Sequence, residues 1–176
     1  MNTIANHLDP SIIAFALDQS YNAVLLTDAH CGAGGHRIVF ANQAFLQMTG
    51  YSKDELLGNN PRILQGPDTN PEVIDRLRQC LRDGTYFQGS TVNYRKDGRP
   101  YTVEWNISPV RNQSGEITHF ISLQQDISSL MAAQRTTQLF AHVLNATDDG
   151  VLITDSTGTI EFVNKAFEKI TGYNLT

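Results

Sequence analysis

Arginine and amide side chains are the residues of this sequence whose chemistry is most informative. Arg62 lies in the segment Gly58-Asn59-Asn60-Pro61-Arg62-Ile63-Leu64-Gln65-Gly66, and Arg78 follows in a predicted helix. A guanidinium fork can bind a pair of phosphate oxygens, and a primary amide donates and accepts hydrogen bonds at the same time. The amides of interest are Asn60, Gln65, Asn93 and Gln124. Taken alone, the two arginines are more simply read as surface residues.

Other reactive side chains form no recognisable catalytic or metal site. His30, Cys31 and His36 offer three ligands in a Gly-rich turn, but their spacing fits no standard zinc pattern and a fourth ligand is absent, so we expect a loop. Cys80 adjoins an apolar helix face and is predicted to be a structural thiol. The glycines at 32–35 match neither a phosphate loop nor a dinucleotide fingerprint. We therefore predict that this fragment is not an enzyme.

Composition limits the class of protein. The chain has 176 residues, which is more than one small domain needs. Hydrophobic residues make up 40% of it and charged residues 18%, a composition that predicts a folded core. The net charge of −5 argues against nucleic acid as a partner. The apolar run at 12–17 is far shorter than the roughly 20 residues of a membrane span, and two cysteines make no disulfide framework. These features predict a cytoplasmic location without a membrane segment.

An internal repeat organises the chain. The segments 22–28, 37–45 and 49–51 recur as 149–155, 159–167 and 171–173, and both copies read as strand, turn, strand and short helix. The second copy ends at Thr176 before any third strand, so it cannot bury its apolar face alone. We expect the chain to be a piece of a longer protein.

The first copy continues into a complete domain. Asn70-Pro71-Glu72 predicts a helix start and Gly84 its end, with an apolar face between them that comprises Val73, Ile74, Leu77 and Leu81. Three extended runs at 86–95, 100–110 and 116–126 follow, joined by short hairpin connections that contain glycine. This order predicts an α+β domain with an antiparallel sheet covered on one face by helices.

The order of elements and the segment 58–66 together resemble the LOV branch of the PAS family. The resemblance implies the PAS fold, with a five-stranded antiparallel sheet, helices on one face and flanking N-terminal and C-terminal helices. It also implies four parts: residues 1–19 as an N-terminal helical cap, 20–127 as the sensory domain, 128–146 as a linker helix, and 147–176 as the truncated start of a second PAS domain.

The resemblance further implies a bound flavin, either FMN or FAD. By their match to the LOV pattern, Arg62 and Arg78 would bind the flavin phosphate, while Asn60 and Gln65 would lie around the ribityl chain and the pocket wall. Asn93 would bind the pyrimidine edge and Gln124 would face flavin N5. The side chains expected to line the ring are Leu25, Leu64, Ile74, Leu81, Trp105, Ile107 and Phe120, each of which is more simply read as core from sequence alone.

Three positions depart from the LOV pattern. Pro61 stands where the family carries the cysteine that attacks the flavin under blue light, so no thiol adduct is expected there. Val103 replaces a second amide, which would weaken flavin binding by about one hydrogen bond, roughly 0.5–1.5 kcal/mol. Trp105 is larger than the usual aromatic, and we hypothesise that its indole donates an electron to the photoexcited flavin in place of adduct formation.

The function implied is a sensor that reports flavin redox state, and light without a cysteinyl adduct, to a downstream output domain. In bacterial proteins of similar arrangement the outputs are often cyclic-di-GMP synthesis or hydrolysis modules or histidine kinases. The alternative is a dimerisation or signal-relay module with an empty pocket. A PAS domain binding haem or a small metabolite ranks third, because His119, the only histidine on a predicted core strand, is placed toward the other face of the sheet. The apolar faces of the N-terminal and linker helices predict a homodimer.

Overall fold

The computed structural model describes residues 9–30 and 35–173. In chain order its helices and strands are α1 (Pro10–Asp18), β1 (Ala23–Asp28), β2 (Ile38–Ala41), α2 (Gln43–Thr49), α3 (Lys53–Leu56), a 3₁₀ turn (Pro61–Leu64), α4 (Pro71–Asp83), β3 (Phe87–Tyr94), β4 (Pro100–Arg111), β5 (Ile117–Asp126), α5 (Ser128–Ala146), β6 (Leu152–Thr154), β7 (Ile160–Val163) and α6 (Lys165–Thr171). Among these described helices, none has the length and apolar character needed to cross a membrane. The chain divides into two compact units, one through Ser128 and one from Ser129 onward.

The first unit is built on a five-stranded sheet in the order β2-β1-β5-β4-β3. Every neighbouring pair of strands is antiparallel, and β5 lies at the centre between β1 and β4. Helix α2 contacts β1, α3 contacts β2 and α4 contacts β3. The predicted α+β fold, with its five-stranded antiparallel sheet, is therefore confirmed.

Helix α4 shows why the local signals predicted the fold well. The Asn70 side chain accepts hydrogen bonds from the backbone N–H groups of Glu72 and Val73, and Pro71 takes the first helical position. Gly84 ends the helix in the left-handed conformation, with φ of 62°, which a residue bearing a Cβ atom adopts only with strain. The apolar face then packs on a core cluster of Phe87, Tyr101, Val103 and Trp105.

A buried amide joins the first helix to the sheet. Asn42 is fully buried, and its Oδ1 accepts hydrogen bonds from the backbone N–H groups of Val24 at 2.8 Å and Phe45 at 3.0 Å. Its Nδ2 donates to the carbonyl oxygens of Leu17 at 2.9 Å and Asn22 at 3.0 Å. One side chain therefore caps α2, anchors β1 and binds the last turn of α1.

The second unit repeats this arrangement with its own preceding helix. Asn164 accepts hydrogen bonds from the N–H groups of Val151 at 2.8 Å and Phe167 at 2.9 Å, and it donates to the carbonyl oxygens of Leu144 at 2.7 Å and Asp149 at 2.9 Å. Helix α5 thus binds Asn164 as α1 binds Asn42, so the repeat includes the helix before each strand pair.

The apolar side chains of the second unit stay largely in contact with solvent. Asn164 is its only buried residue among those described, and its exposed apolar side chains include Leu152, Ile153, Ile160 and Ile170. The structure agrees with the expectation that two strands and one short helix cannot bury their own apolar face.

Candidate cofactor-binding site

A cavity of 390 Å³ opens in the first unit between the sheet, the 3₁₀ turn and α4. A volume of a few hundred Å³ suits a small-molecule ligand. Every side chain that the sequence analysis assigned to a flavin lines this cavity, and Pro61 does as well. These residues are Leu25, Asn60, Arg62, Leu64, Gln65, Ile74, Arg78, Leu81, Asn93, Trp105, Ile107, Phe120 and Gln124. The structure brings together residues that are up to a hundred positions apart in the chain.

The sheet supplies one wall by simple alternation. On β5 the side chains of Phe120, Ser122 and Gln124 point to the cavity, as expected for residues two apart on a strand. On β4 the corresponding residues are Trp105, which lies opposite Gln124, and Ile107, which lies opposite Ser122. This wall is therefore apolar along one part and polar around Gln124.

Gln124 carries a buried acceptor without a partner. Its side chain is 8% exposed, and its Nε2 donates to Ser122 Oγ at 3.2 Å. Its Oε1 is buried and makes no hydrogen bond with any described residue. An unpaired buried acceptor costs about 1–3 kcal/mol, so this wall is suited to a ligand that presents a donor. A flavin ring has both donors and acceptors along its polar edge, and Gln124 fits such a group.

The 3₁₀ turn forms the opposite wall and is held by Asn60. Asn60 Oδ1 accepts a hydrogen bond from the Arg62 N–H at 3.0 Å, and its Nδ2 donates to the His36 carbonyl oxygen at 2.9 Å. Gly35, with φ of 69°, lies so close that an added Cβ atom would be 2.6 Å from Asn60 Nδ2. Asn60 therefore joins the turn to the connection between β1 and β2, in addition to lining the cavity.

Several lining residues were missed by the sequence analysis. They are Thr27, Gly35, His36, Leu77, Arg82 and Ser122. Alternation on β1 and β5 was a usable signal for Thr27 and Ser122, and helical spacing was one for Leu77. His36 was assigned only to a loop, whereas the structure places it in the wall. Its Nδ1 donates to the Asp28 carbonyl oxygen at 3.0 Å, and its ring meets Phe120 edge-on at 5.1 Å.

Three arginines border the cavity: Arg62 on the 3₁₀ turn, and Arg78 and Arg82 on α4. All three are exposed, and Arg78 forms an ion pair with Asp75 at 2.7 Å. No carboxylate lines the cavity among the residues that the structure describes. Although the whole chain has a net charge of −5, this site is cationic and suited to phosphate.

Val103 and Cys80, which the sequence singled out, do not border the cavity. Val103 is fully buried in the cluster with Phe87, Tyr101 and Trp105, so it serves the core. Cys80 packs against the same cluster, as predicted for a structural thiol. No cysteine of the described ranges borders the cavity, and Cys31 lies outside those ranges.

Of the histidines in the described part of the chain, His36 lines the cavity and His119 does not. His119, which the haem alternative would use, is half-buried and does not line the cavity. No group of three His, Cys, Asp or Glu side chains within the described ranges could hold a metal ion. The ranking of haem behind a flavin stays a prediction.

The end of β5 is fixed by an ionic network two residues beyond Gln124. Asp126 pairs with the Arg95 guanidinium, which also donates to the Met48 carbonyl oxygen and lies 4.6 Å from the Tyr101 ring centre. Asp126 Oδ1 accepts the Ser128 N–H at 2.9 Å, at the first residue of α5. Partial burial opposes ionisation of Asp126, but hydrogen bonds from Ser128 and Arg95 outweigh it and lower the pKa of its carboxyl.

Desolvation acts strongly on Tyr101, whose ring lies beside the Arg95 guanidinium. Burial raises the pKa of Tyr101 to about 12, against the opposing influence of Asn93 and Arg95. Tyr101 lies directly across from Asn93 in the pairing of β3 with β4. The phenol therefore stays neutral at physiological pH and adds no negative charge beside the cavity.

A ligand-sized cavity between a five-stranded antiparallel sheet and short helices defines an α+β domain with a candidate ligand-binding site. The PAS domain family matches residues 22–129, and a second PAS domain match covers residues 138–176. The chain belongs to the PAS domain family.

Similar proteins assign the first unit to the LOV branch. The nitrogen fixation regulatory protein of Klebsiella oxytoca is 34% identical over 163 residues, which cover 90% of this chain and 32% of the relative. Phototropin-1A of Oryza sativa subsp. japonica is 37% identical over 102 residues, covering 58% of this chain and 11% of the relative. Blue-light-activated histidine kinase 1 of Erythrobacter litoralis is 36% identical over 117 residues, covering 66% of this chain and 32% of the relative. The chain thus spans about a third or less of these relatives.

Solved structures agree with this assignment. A structure described as "Flavin Analogue Sheds Light on Light-Oxygen-Voltage Domain Mechanism" superposes with a TM-score of 0.63 at 30% identity, covering 76% of this chain and 97% of that one. The LOV domain of the Erythrobacter litoralis EL346 blue-light-activated histidine kinase gives a TM-score of 0.57 at 29% identity, covering 61% of this chain and 96% of that one. The first unit is therefore a PAS domain of the LOV type.

Proposed function

We propose that the first unit is a flavin-binding sensor module that reports the redox state of its flavin to an output domain of the same protein. The observation that carries this proposal is the buried, unpaired Oε1 of Gln124 in a cavity bordered by arginines. An unpaired amide end in the cavity wall is suited to a ligand group that exchanges a hydrogen bond with it, and the amide of Gln124 can present either Oε1 or Nε2 to that group. The matches to proteins named for light-oxygen-voltage domains favour a flavin as that ligand.

The lining residues divide by chemistry into three groups. Apolar side chains such as Ile74 and Trp105 would contact the flavin ring, and the amides of Asn93 and Gln124 would bind its polar edge. The guanidinium groups of Arg62 and Arg78 would bind the phosphate, where a charge-assisted hydrogen bond contributes roughly 1.5–3 kcal/mol. The hydroxyl of Ser122 is a further polar group of the lining, and it accepts a hydrogen bond from Gln124 Nε2.

Gln124 would read the redox state through the direction of its amide. A bound flavin supplies an N5 atom that accepts a hydrogen bond when oxidised and donates one when reduced. The amide can meet either demand by presenting Nε2 or Oε1, and a change of direction alters its hydrogen bond to Ser122. Two residues further along β5, Asp126 holds the first N–H of α5. The strand thus connects the cavity to the start of the helix.

Light would act without a cysteinyl adduct. Pro61 has no thiol, and Cys80 packs in the core cluster away from the cavity lining. Trp105 is the side chain that we propose as an electron donor to a photoexcited flavin, because its indole lines the cavity and is only 6% exposed. Redox state is then the primary signal and light a secondary one.

The output would lie elsewhere in a longer protein. The matched region is a third or less of each relative, and two of the relatives are named as blue-light-activated histidine kinases. We propose a histidine kinase or a cyclic-di-GMP synthesis or hydrolysis module as the output, with the second PAS domain between sensor and output. Sequencing of the complete gene, followed by assay of the corresponding activity with oxidised and reduced protein, tests this assignment.

Two exposed apolar helix faces favour a homodimer. Ile12 and Phe15 on α1 are 54% and 67% exposed, and Leu139 and Phe140 on α5 are 61% and 65% exposed. We propose that each face packs against its copy in a second chain. Sedimentation of the wild-type protein and of a Phe140→Glu variant tests this: a dimer that the variant converts to monomer supports it, and a monomeric wild type at high concentration excludes it.

The decisive experiment for the function is an absorption spectrum of the purified protein, with chromatography of the released cofactor. We expect flavin bands that bleach with dithionite and that show no thiol-adduct state under blue light. The Gln124→Met variant should bind the same flavin more weakly. A colourless protein that neither FMN nor FAD reconstitutes would reject the flavin sensor in favour of a relay module with an empty pocket.

A further inference from the structure

Arg82 is the arginine at the cavity whose position no sequence pattern indicated. It lies one helical turn after Arg78 on the same face of α4, and both residues line the cavity together with Arg62 on the 3₁₀ turn. Two arginines already match the number used for a single phosphate in the LOV pattern. The guanidinium of Arg82 is therefore additional to the two arginines that this pattern assigns to the phosphate.

The present contacts of these arginines are ones that a ligand can replace. Arg82 donates to Gln79 Oε1, and Gln79 Nε2 donates to Asp83 Oδ2 at 2.8 Å. Arg78 pairs with Asp75 at 2.7 Å, where the two side chains are 45% and 70% exposed. Exposed pairs of this kind stabilise a fold only weakly, so a charge-assisted hydrogen bond to phosphate would be stronger than the contact that it replaces.

The spacing of Arg78 and Arg82 suits two phosphate groups better than one. Residues four apart on a helix are separated by about 6 Å along its axis, which is wider than the oxygens of a single phosphate. Two linked phosphates present anionic oxygens over such a distance. Together, the guanidinium groups of Arg62, Arg78 and Arg82 form a cationic rim of the cavity, and a diphosphate can span this rim.

The size of the cavity places the phosphates at this rim. Its 390 Å³ lies near the lower end of the volumes usual for ligand sites, so it accommodates a ring system and little more. The phosphate chain and anything attached beyond it must lie outside, where all three arginines are exposed. A second phosphate and a nucleoside would meet no wall of the cavity itself.

We propose that Arg82 is a third phosphate-binding residue and that it makes the site prefer the diphosphate flavin, FAD, over the monophosphate, FMN. This inference rests on the proposed function and deepens it. Arg62 and Arg78 bind the phosphate next to the ribityl chain, and Arg82 binds the phosphate that only FAD carries. Arg82 is thereby a specificity-determining residue of the site.

Three ligands that differ in phosphate number test the assignment. Protein freed of flavin is titrated with riboflavin, FMN and FAD at one ionic strength, and dissociation constants are measured from flavin fluorescence. We expect the affinity to rise from riboflavin to FMN to FAD. Arg82→Ala should weaken FAD about tenfold and leave FMN and riboflavin unchanged, because one charge-assisted hydrogen bond is lost. Arg78→Ala should weaken FMN and FAD and spare riboflavin.

Arg76 provides a matched control on the same helix. Its guanidinium lies 5.3 Å from the Phe87 ring centre and donates to the Gln88 carbonyl oxygen, and it does not line the cavity. Arg76→Ala should leave all three affinities unchanged. Equal wild-type affinities for FMN and FAD, or an equal loss of both in Arg82→Ala, would overturn the role of Arg82 while leaving the flavin sensor intact. Failure of all three flavins to bind would overturn the sensor proposal and this inference together.

Discussion

Trp105 and Gln124 lie directly opposite each other on β4 and β5, and both side chains line the cavity. Directly opposed residues on antiparallel strands have Cβ atoms about 4.5–5.5 Å apart. A ring bound against the amide of Gln124 therefore also lies beside the indole of Trp105. The group proposed to sense reduction and the group proposed to donate an electron are neighbours across one strand pair.

Replacement of Trp105 by Phe should make the bound flavin more fluorescent. The indole would quench emission by electron donation, whereas a phenyl ring donates poorly. The smaller ring also leaves a cavity, which should lower the free energy of unfolding by about 1–2 kcal/mol. Tyr101→Phe is the control, because Tyr101 is buried in the same cluster and does not line the cavity. Bright emission in the wild type that Trp105→Phe leaves unchanged would rule out an adjacent donor.

Replacement of Gln124 by Met should stabilise the flavin-free protein and weaken flavin binding. The change removes a buried acceptor without a partner, so the free energy of unfolding should rise by about 1 kcal/mol. Loss of the amide should lower flavin affinity by roughly 0.5–1.5 kcal/mol. Chemical unfolding measures the first effect and ligand titration the second. Gln125→Met is the control, because Gln125 is the next residue and is exposed. A loss of stability without flavin would show that Oε1 is satisfied in the free protein.

Acid should weaken the junction between β5 and α5 through Asp126. Its pKa is lowered in the folded state, so its contribution is full above the ordinary value of 3.8 and is lost as the pH falls through the lowered folded value. Asp126→Asn should therefore be less stable than the wild type by about 1 kcal/mol at pH 7, and this difference should shrink below pH 3.8.

Urea unfolding at pH 7 and at lower pH measures the difference for Asp126. The control is Asp97→Asn, because Asp97 pairs with Arg99 at 3.3 Å with side chains that are 54% and 81% exposed, and its removal should have little effect. A stability difference for Asp126→Asn that stays constant down to acid pH would mean that its carboxylate charge does not stabilise the fold.

Replacement of Asn42 by Ala should be among the most destabilising single changes in the first unit. It removes four hydrogen bonds and leaves buried backbone groups of α1, β1 and α2 unpaired, at a cost of about 3 kcal/mol or more. Thermal unfolding followed by circular dichroism measures this, with Gln43→Ala at the exposed next position as control. Similar melting temperatures for the two variants would contradict the central role of Asn42.

Local signals predicted most of the fold. The cap at Asn70, the stop at Gly84 and the glycine-containing hairpins fix α4 and β3 to β5 through backbone geometry that each short segment determines by itself. The residues that match the LOV pattern were assigned to the site by resemblance, and all of them line one cavity. Their binding of flavin stays a prediction.

Contacts between residues that are far apart in the chain could not be predicted from local sequence patterns. His36 enters the wall because Asn60 binds its carbonyl oxygen, a contact between residues 24 positions apart. Arg82 lies next to the apolar face of α4 in the sequence. It borders the cavity because the 3₁₀ turn lies near that end of the helix. The missing partner of Gln124 Oε1 depends on every neighbouring atom, which no local pattern encodes.

The hydrogen bonds of Asn42 and Asn164 to the helix before each strand pair bear on how chimeric receptors should be assembled from this protein. A fusion joint after Ala146 would separate Asn164 from Leu144 and leave a buried amide without its acceptor. A joint within residues 134–138, which are all exposed, would keep each core with its own helix. The transplantable segment is therefore helix plus core, with the splice point in the middle of α5.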